Sequence, residues 1–254
     1  MTNDELMQSL RHLRLGGMAD RLSIRTQQAR AENLGPIDFI SLLVNDELTR
    51  RSDRLIGRRV KSAGFRDHRT LDSFDWKFNS IDCALIFELA TGRFIEAHED
   101  VLLLGNAGVG KSHIAQAIGM AAILGGFRVL YREAHSLFDE LLLANALGKR
   151  AETIAMYSDI PLLIIDDLGM RKLQANAAED LLEIVMRRYE RASTILTSNR
   201  PLEDWAKIFG DTPAVAAFLD RLMHHSHLIE IRGKSYRLHE HAQAARTRKA
   251  KPAL

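Results

Sequence analysis

The sequence predicts an α/β fold on a parallel sheet, with a small helical lid and a small all-helical N-terminal domain in front. Three observations carry this. A glycine-rich phosphate loop sits between a short apolar run and an apolar helix. Four such apolar runs alternate with helical stretches beyond about Leu71. Before it the apolar residues fall at helical spacing instead. With 254 residues, 46% hydrophobic and 27% charged, the chain has the balance of a globular protein with a full core.

Taken in order, Leu6, Leu10 and Leu13 mark a first helix ending near Gly16, where Leu-Gly-Gly reads as a stop. Phe39, Leu42, Leu43 and Leu48 mark a second, opening after Pro36 with Asp38 as a cap and running to about Val60. At 100° per residue, Arg50, Arg54, Arg58 and Lys61 fall within about 80° of one another, with Leu48, Leu55 and Ile56 largely opposite. Such a face suits either a solvated docking helix or a surface that tracks phosphates; the shortage of acidic partners at i±4 favours the second. Val101–Leu104, Phe127–Tyr131, Leu162–Ile165 and Thr194–Thr197 are the strand candidates, three of them nearly continuous in apolar residues, as in a sheet covered on both faces. After Leu202 the reading is mostly helical, with Trp205–Phe209 and Ala214–His224 assigned to the lid. The expected organisation is a helical domain over 1–68, an α/β domain over 69–241, and a basic, disordered tail over 242–254.

Charge follows the same division. Residues 1–70 hold 13 Lys/Arg against 9 Asp/Glu, 71–231 hold 15 against 23, and 232–254 hold 7 against 1. An acidic middle between basic ends points to a chemical domain flanked by segments that prefer a polyanion. No apolar run is long enough to cross a bilayer, and the first twenty residues lack a signal-peptide core, so a cytoplasmic setting is expected. Cys83, the single cysteine, excludes an internal disulfide or a cysteine-rich zinc cluster. His224, His225 and His227 cluster in sequence, but no cysteine or carboxylate joins them at zinc spacing.

The strongest signal is Gly105-Asn106-Ala107-Gly108-Val109-Gly110-Lys111-Ser112, which fits the phosphate-loop pattern at every fixed position, with His113 opening the helix behind it. The glycines let successive N–H groups turn inward on an anion, and the helix N-terminus adds its positive end. In this context Lys111 reaches the β/γ oxygens of ATP and Ser112 is a magnesium ligand. A second strand ends in Asp166-Asp167, with Asp166 assigned to Mg2+ through water and Asp167 to polarising the attacking water. A third ends in Thr197-Ser198-Asn199, where Asn199 either orients that water or belongs to an ordinary Asn-Arg-Pro turn.

Together with Leu219-Asp220-Arg221-Leu222 and Gly233-Lys234-Ser235-Tyr236-Arg237, these segments resemble the AAA+ ATPases of the DnaA/DnaC clade. Leu13-Arg14-Leu15-Gly16-Gly17-Met18-Ala19, Leu71-Asp72-Ser73-Phe74-Asp75-Trp76 and Thr197-Ser198-Asn199-Arg200-Pro201 narrow the resemblance to IstB-like helper ATPases of bacterial insertion sequences. The resemblance implies that Asn199 is the sensor-1 residue, Arg221 an arginine finger supplied to a neighbouring subunit, and Arg237 the sensor-2 arginine. On the residues alone, the alternatives are a local pair of Arg221 with Asp220 or Glu230, and Arg237 facing DNA. The family often has Thr and Glu where this chain has Ser112 and Asp167; the shorter Asp167 suggests slow turnover.

The function so implied is an ATP-dependent helper of transposition. It would assemble head to tail on duplex DNA, recruit a separate IstA-like transposase, and use hydrolysis to reset the assembly without cutting DNA itself. The alternative is a replicative helicase loader of the DnaC type, which would share the ATPase core but hold single-stranded DNA. A nucleotide-gated structural protein without turnover belongs to a different class, and hydrolysis separates it from both.

Overall fold

The computed structural model describes residues 2–169, 175–205 and 213–240, with side chains described for all of these except 175–178 and 213–218. The tail 242–254 and, beyond Trp205, the expected helix over 205–209 lie outside the described residues. The chain divides into two compact units, Met1–Arg59 and Val60–Leu254.

The first unit contains α1 (Asn3–His12), α2 (Gly16–Ala31) and most of α3 (Pro36–Ala63). A capping box between Thr2 and Glu5 starts α1. The helix stops earlier than the glycines suggest, because Arg14 takes a left-handed φ of 60° and Leu15 N–H closes on Leu10 O at 2.8 Å. Gly16-Gly17 therefore opens a helix rather than ending one, and α2 was not expected from the sequence. Its buried residues, Gly17, Ala19 and Leu22, are mostly small and make no apolar stripe. Gly17 is needed for close approach: a Cβ there would lie 2.7 Å from Glu47 Cα. The Gly17 N–H donates to the buried Glu47 carboxylate at 2.5 Å, so α3 supplies the cap that α2 lacks locally. Arg25 grips Asp46 through two bonds of 2.7 Å.

The second unit is built on a five-stranded, all-parallel sheet in the order β2-β3-β4-β1-β5. The strands are β1 (Asp100–Gly105), β2 (Val129–Glu133), β3 (Leu162–Leu168), β4 (Ser193–Ser198) and β5 (Ser226–Ile231). The first four match the apolar runs. β5 is a correction. It lies at the sheet edge beside β1, and its alternation of buried Ile229 and Ile231 with exposed Leu228 and Glu230 hid it among polar residues. The helices are α4 (Cys83–Leu89), α5 (Arg93–Glu96), α6 (Lys111–Leu124), α7 (Ala134–Ala146), α8 (Arg150–Asp159), α9 (Ala175–Arg188) and α10 (Pro213–His224).

The assignment of Ala214–His224 to a lid is also corrected. α10 returns the chain from β4 to β5, and its Leu222 is buried in the main core with Leu196, Trp205 and Leu181. Helical residues 236–240, carrying Arg237, follow the last strand instead. At the amino edge of the sheet the guanidinium of Arg188, fully buried, donates to the carbonyls of Tyr157, Ser158, Ile160 and Ser193 and to Thr194 Oγ1. It thereby joins the end of α9 to the starts of β3 and β4.

β1 turns into α6 and the chain then crosses to β2 at the far edge, so the carboxyl end of β1 lies at a topological switch point. Parallel α/β sheets bind ligands at such points.

Candidate nucleotide-binding site

The loop between β1 and α6 is held open by its glycines. Gly108 (φ 80°) and Gly110 (φ 109°) are left-handed. A Cβ on Gly110 would meet the Phe74 ring at 2.5 Å, and one on Gly108 would collide with Ser235 Oγ. Asn79 ties this loop to the segment after β5. Its Nδ2 donates to Val109 O at 3.0 Å, and its Oδ1 accepts Lys234 N–H at 3.0 Å. Tyr236 N–H closes the clasp on Gly108 O at 2.9 Å.

Lys111 is 4% exposed, and its ammonium donates to Gly105 O at 2.8 Å and Asn106 O at 2.9 Å. Burial lowers its pKa against the pull of Asp167 and Asp166, with Arg237 adding to the lowering. A desolvated cation held by two loop carbonyls is poised for an anionic ligand.

A β-bulge interrupts the β3–β4 register between Ile165 and Leu168, where the two carboxylates sit. Asp166 is fully buried: its Oδ2 accepts from Tyr131 OH at 2.7 Å and its Oδ1 from Thr197 Oγ1 at 2.5 Å. Asp167 adopts φ 57°, with its N–H donating to Thr197 Oγ1 at 2.9 Å, and its side chain reaches the cavity that Asp166 does not line. Burial and the neighbouring Asp166 raise the Asp167 pKa, while Lys111, Arg66 and Arg237 pull it back. Asn199, beyond β4, brings a buried Oδ1 with no hydrogen-bond partner among the described residues. An orphaned polar atom at a cavity wall is the mark of a missing ligand or water.

These groups surround one cavity of about 280 Å³. Ala107 through His113, Asp167, Asn199 and Arg237 line it. Gly105 and Asn106 contribute their carbonyls to Lys111 instead. His113 turns its Nε2 to Thr70 O (2.9 Å) and Ser73 Oγ (3.2 Å), which anchors the entry segment against α6. Arg221 is not among the lining residues. It lies close enough to Tyr189 to act on its charge, and Tyr189 precedes the amino end of β4, away from the cavity at the carboxyl ends. Glu230, one of its possible partners, pairs instead with Arg232 at 2.6 Å.

Within the proposed DNA-contacting set, Arg50 is half-buried against Asp20 at 2.8 Å, a partner from α2 that i±4 spacing could not reveal. Arg54, Arg58 and Lys61 are exposed, with no ion pair among the described residues. Of the clustered histidines, His227 bonds Glu99 at 2.7 Å. His225 lies 3.4 Å from Glu190, so a carboxylate does join His224 and His225, all three exposed. Tyr131, Asn79 and Phe74 were not expected at the site, and Thr197 was quoted without its role of holding the Asp166 carboxylate and the Asp167 backbone N–H.

The family of IstB-like ATP-binding proteins matches residues 8–244, a span that holds every residue of this cavity. The chain belongs to that family. Among its relatives, the insertion sequence IS5376 ATP-binding protein of Geobacillus stearothermophilus is 38% identical over 229 residues, covering 90% of this chain and 91% of the relative. The insertion sequence IS21 ATP-binding protein of Pseudomonas aeruginosa is 35% identical over 241 residues, covering 94% and 91%. AMPPCP-bound DnaA from Aquifex aeolicus superposes with a TM-score of 0.56 at 22% identity, covering 72% of this chain and 56% of that one. The DnaC helicase loader gives 0.53 at 22%, covering 69% and 99%. At these identities the likeness is one of fold. This IstB-like protein thus shares the α/β fold of DnaA and of the DnaC loader. Among its described residues, no helix is long and apolar enough to cross a membrane.

Proposed function

We propose that this protein hydrolyses ATP with Mg2+ and uses the nucleotide to assemble on duplex DNA as a helper of a separately encoded transposase. The observation that carries the reading is the convergence of Lys111, Asp167, Asn199 and Arg237 on one cavity at the switch point of the sheet.

Each group has a distinct task. The loop N–H groups and the amino end of α6 hold the phosphates, while Lys111 leaves its two carbonyls for the β/γ oxygens. The donor set suits magnesium: Ser112 would offer oxygen at the cavity wall, and the buried Asp166 would act from behind through water. Magnesium, when bound, neutralises charge on the β- and γ-phosphates. Asp167 takes the proton of the attacking water, and Asn199 orients that water. Arg237 supports the phosphoryl charge from within the chain.

Arg221, set away from its own cavity, suits a role in the next subunit's site. Such a contact is heterologous and generates a ring or an open helix of copies. Arg54, Arg58 and Lys61 supply exposed charge for the DNA backbone, a contact that positions the protein without reading bases. The names of the relatives place them in insertion sequences, which favours a transposase as partner over a replicative helicase.

Phosphate release by wild type and Asp167→Asn tests the chemistry. The variant should lose about a hundredfold in rate, within the range for a positioned base. Because its pKa is raised, the acid limb of the wild-type rate profile should lie above the ordinary aspartate range. Equal rates in the two proteins would remove Asp167 from the mechanism.

A further inference from the structure

Three successive residues between α3 and the nucleotide site touch three different parts of it. Phe65 packs its ring against Tyr131, 6.0 Å between centroids, and fills the space above Gly119 of α6, where a Cβ would meet it at 3.0 Å. Arg66 donates from Nη1 to Glu133 Oε1 at 2.8 Å. The Asp67 N–H donates to Gln116 Oε1 at 3.0 Å, and Gln116 Nε2 donates to Ser112 O at 3.1 Å. Phe65 and Asp67 thus fix the backbone on either side of Arg66, and the guanidinium is the part left free to choose a partner.

Its setting offers two. Glu133 ends β2 directly opposite Asp166 in the parallel register, so Arg66 sits beside the strand ends that carry the carboxylates. Arg66 also lines the cavity, with its side chain 40% exposed. Its charge is felt by Asp167, which shares that wall. In this structure the guanidinium is paired with Glu133 and, at 3.5 Å, with Asp67. A planar guanidinium binds carboxylate and phosphate oxygens with the same fork, so a phosphate arriving beside Asp167 competes directly with Glu133. That side of the cavity is where the terminal phosphate lies if Lys111, Asp167 and Asn199 act as assigned above, and the inference rests on that assignment.

We propose that Arg66 reads the terminal phosphate: it pairs with Glu133 when that phosphate is absent and transfers to it in the ATP state, so that this one arginine separates ATP from ADP. Glu133 is the counterweight that sets how much of the ATP contact is realised.

The test is equilibrium binding of ADP and of a β,γ-methylene analogue of ATP, both with Mg2+, to wild type, Arg66→Ala and Glu133→Gln. Arg66→Ala should weaken the triphosphate about tenfold while leaving ADP within about twofold, the signature of one lost charge-assisted contact. Glu133→Gln, which leaves the arginine in place without its competitor, should strengthen the triphosphate selectively. Arg66→Lys should restore the preference only in part, because an ammonium lacks the fork. Equal weakening of both nucleotides in Arg66→Ala would mean that the arginine only supports the loop, and would overturn the proposal. So would an unchanged preference in both variants, or a wild type that does not distinguish the two nucleotides. Failure of the underlying assignment looks different: wild type would then bind neither nucleotide.

Discussion

Lys111→Ala should abolish ATP binding, with a loss of at least about a hundredfold in affinity, because it deletes the one ammonium that the loop wraps. The same substitution should not lower the melting temperature of the nucleotide-free protein. In this structure the ammonium is buried against two carbonyls, and burial lowers its pKa. A lysine whose folded pKa is lowered is penalised wherever it is protonated, which includes neutral pH, so removing it relieves the folded state rather than stripping it of support. Nucleotide titration and thermal melting on the same sample check both halves. Binding within a few-fold of wild type would show that the loop glycines and helix terminus hold the phosphates without the lysine.

Arg221→Ala should keep nucleotide affinity and lose hydrolysis by about a thousandfold, the range seen when an arginine acting in trans is removed. The guanidinium is absent from the cavity of its own chain and lies toward the amino ends of the strands. A mixing experiment gives the sharper result. Lys111→Ala subunits carry an intact Arg221 but no nucleotide, and Arg221→Ala subunits carry nucleotide but no finger. Together they should recover hydrolysis that neither shows alone. No recovery on mixing, with normal hydrolysis by Arg221→Ala, would make Arg221 a structural residue.

How far the sequence reveals this protein depends on how local each determinant is. The phosphate loop was legible because its conformation is set within eight residues by Gly108 and Gly110. β1 to β4 were legible because both faces are covered, leaving runs such as Leu162–Ile165 unbroken. β5 was not, since it alternates buried with exposed residues, and His227 and Glu230 break the run. α2 was missed because small residues in close contact with Glu47 leave no periodic stripe, and its cap comes from another helix. The residues that buttress the site escaped for the same reason. Tyr131, Asn79 and Arg66 reach it from separate elements, and nothing in their own neighbourhoods marks them.

The most direct test of the account is sedimentation of the full chain with a long duplex and with a matched single strand, each with and without ATP and Mg2+. The account predicts large complexes on the duplex that form only when ATP is present. Growth that ignores ATP, or a preference for the single strand, would contradict it.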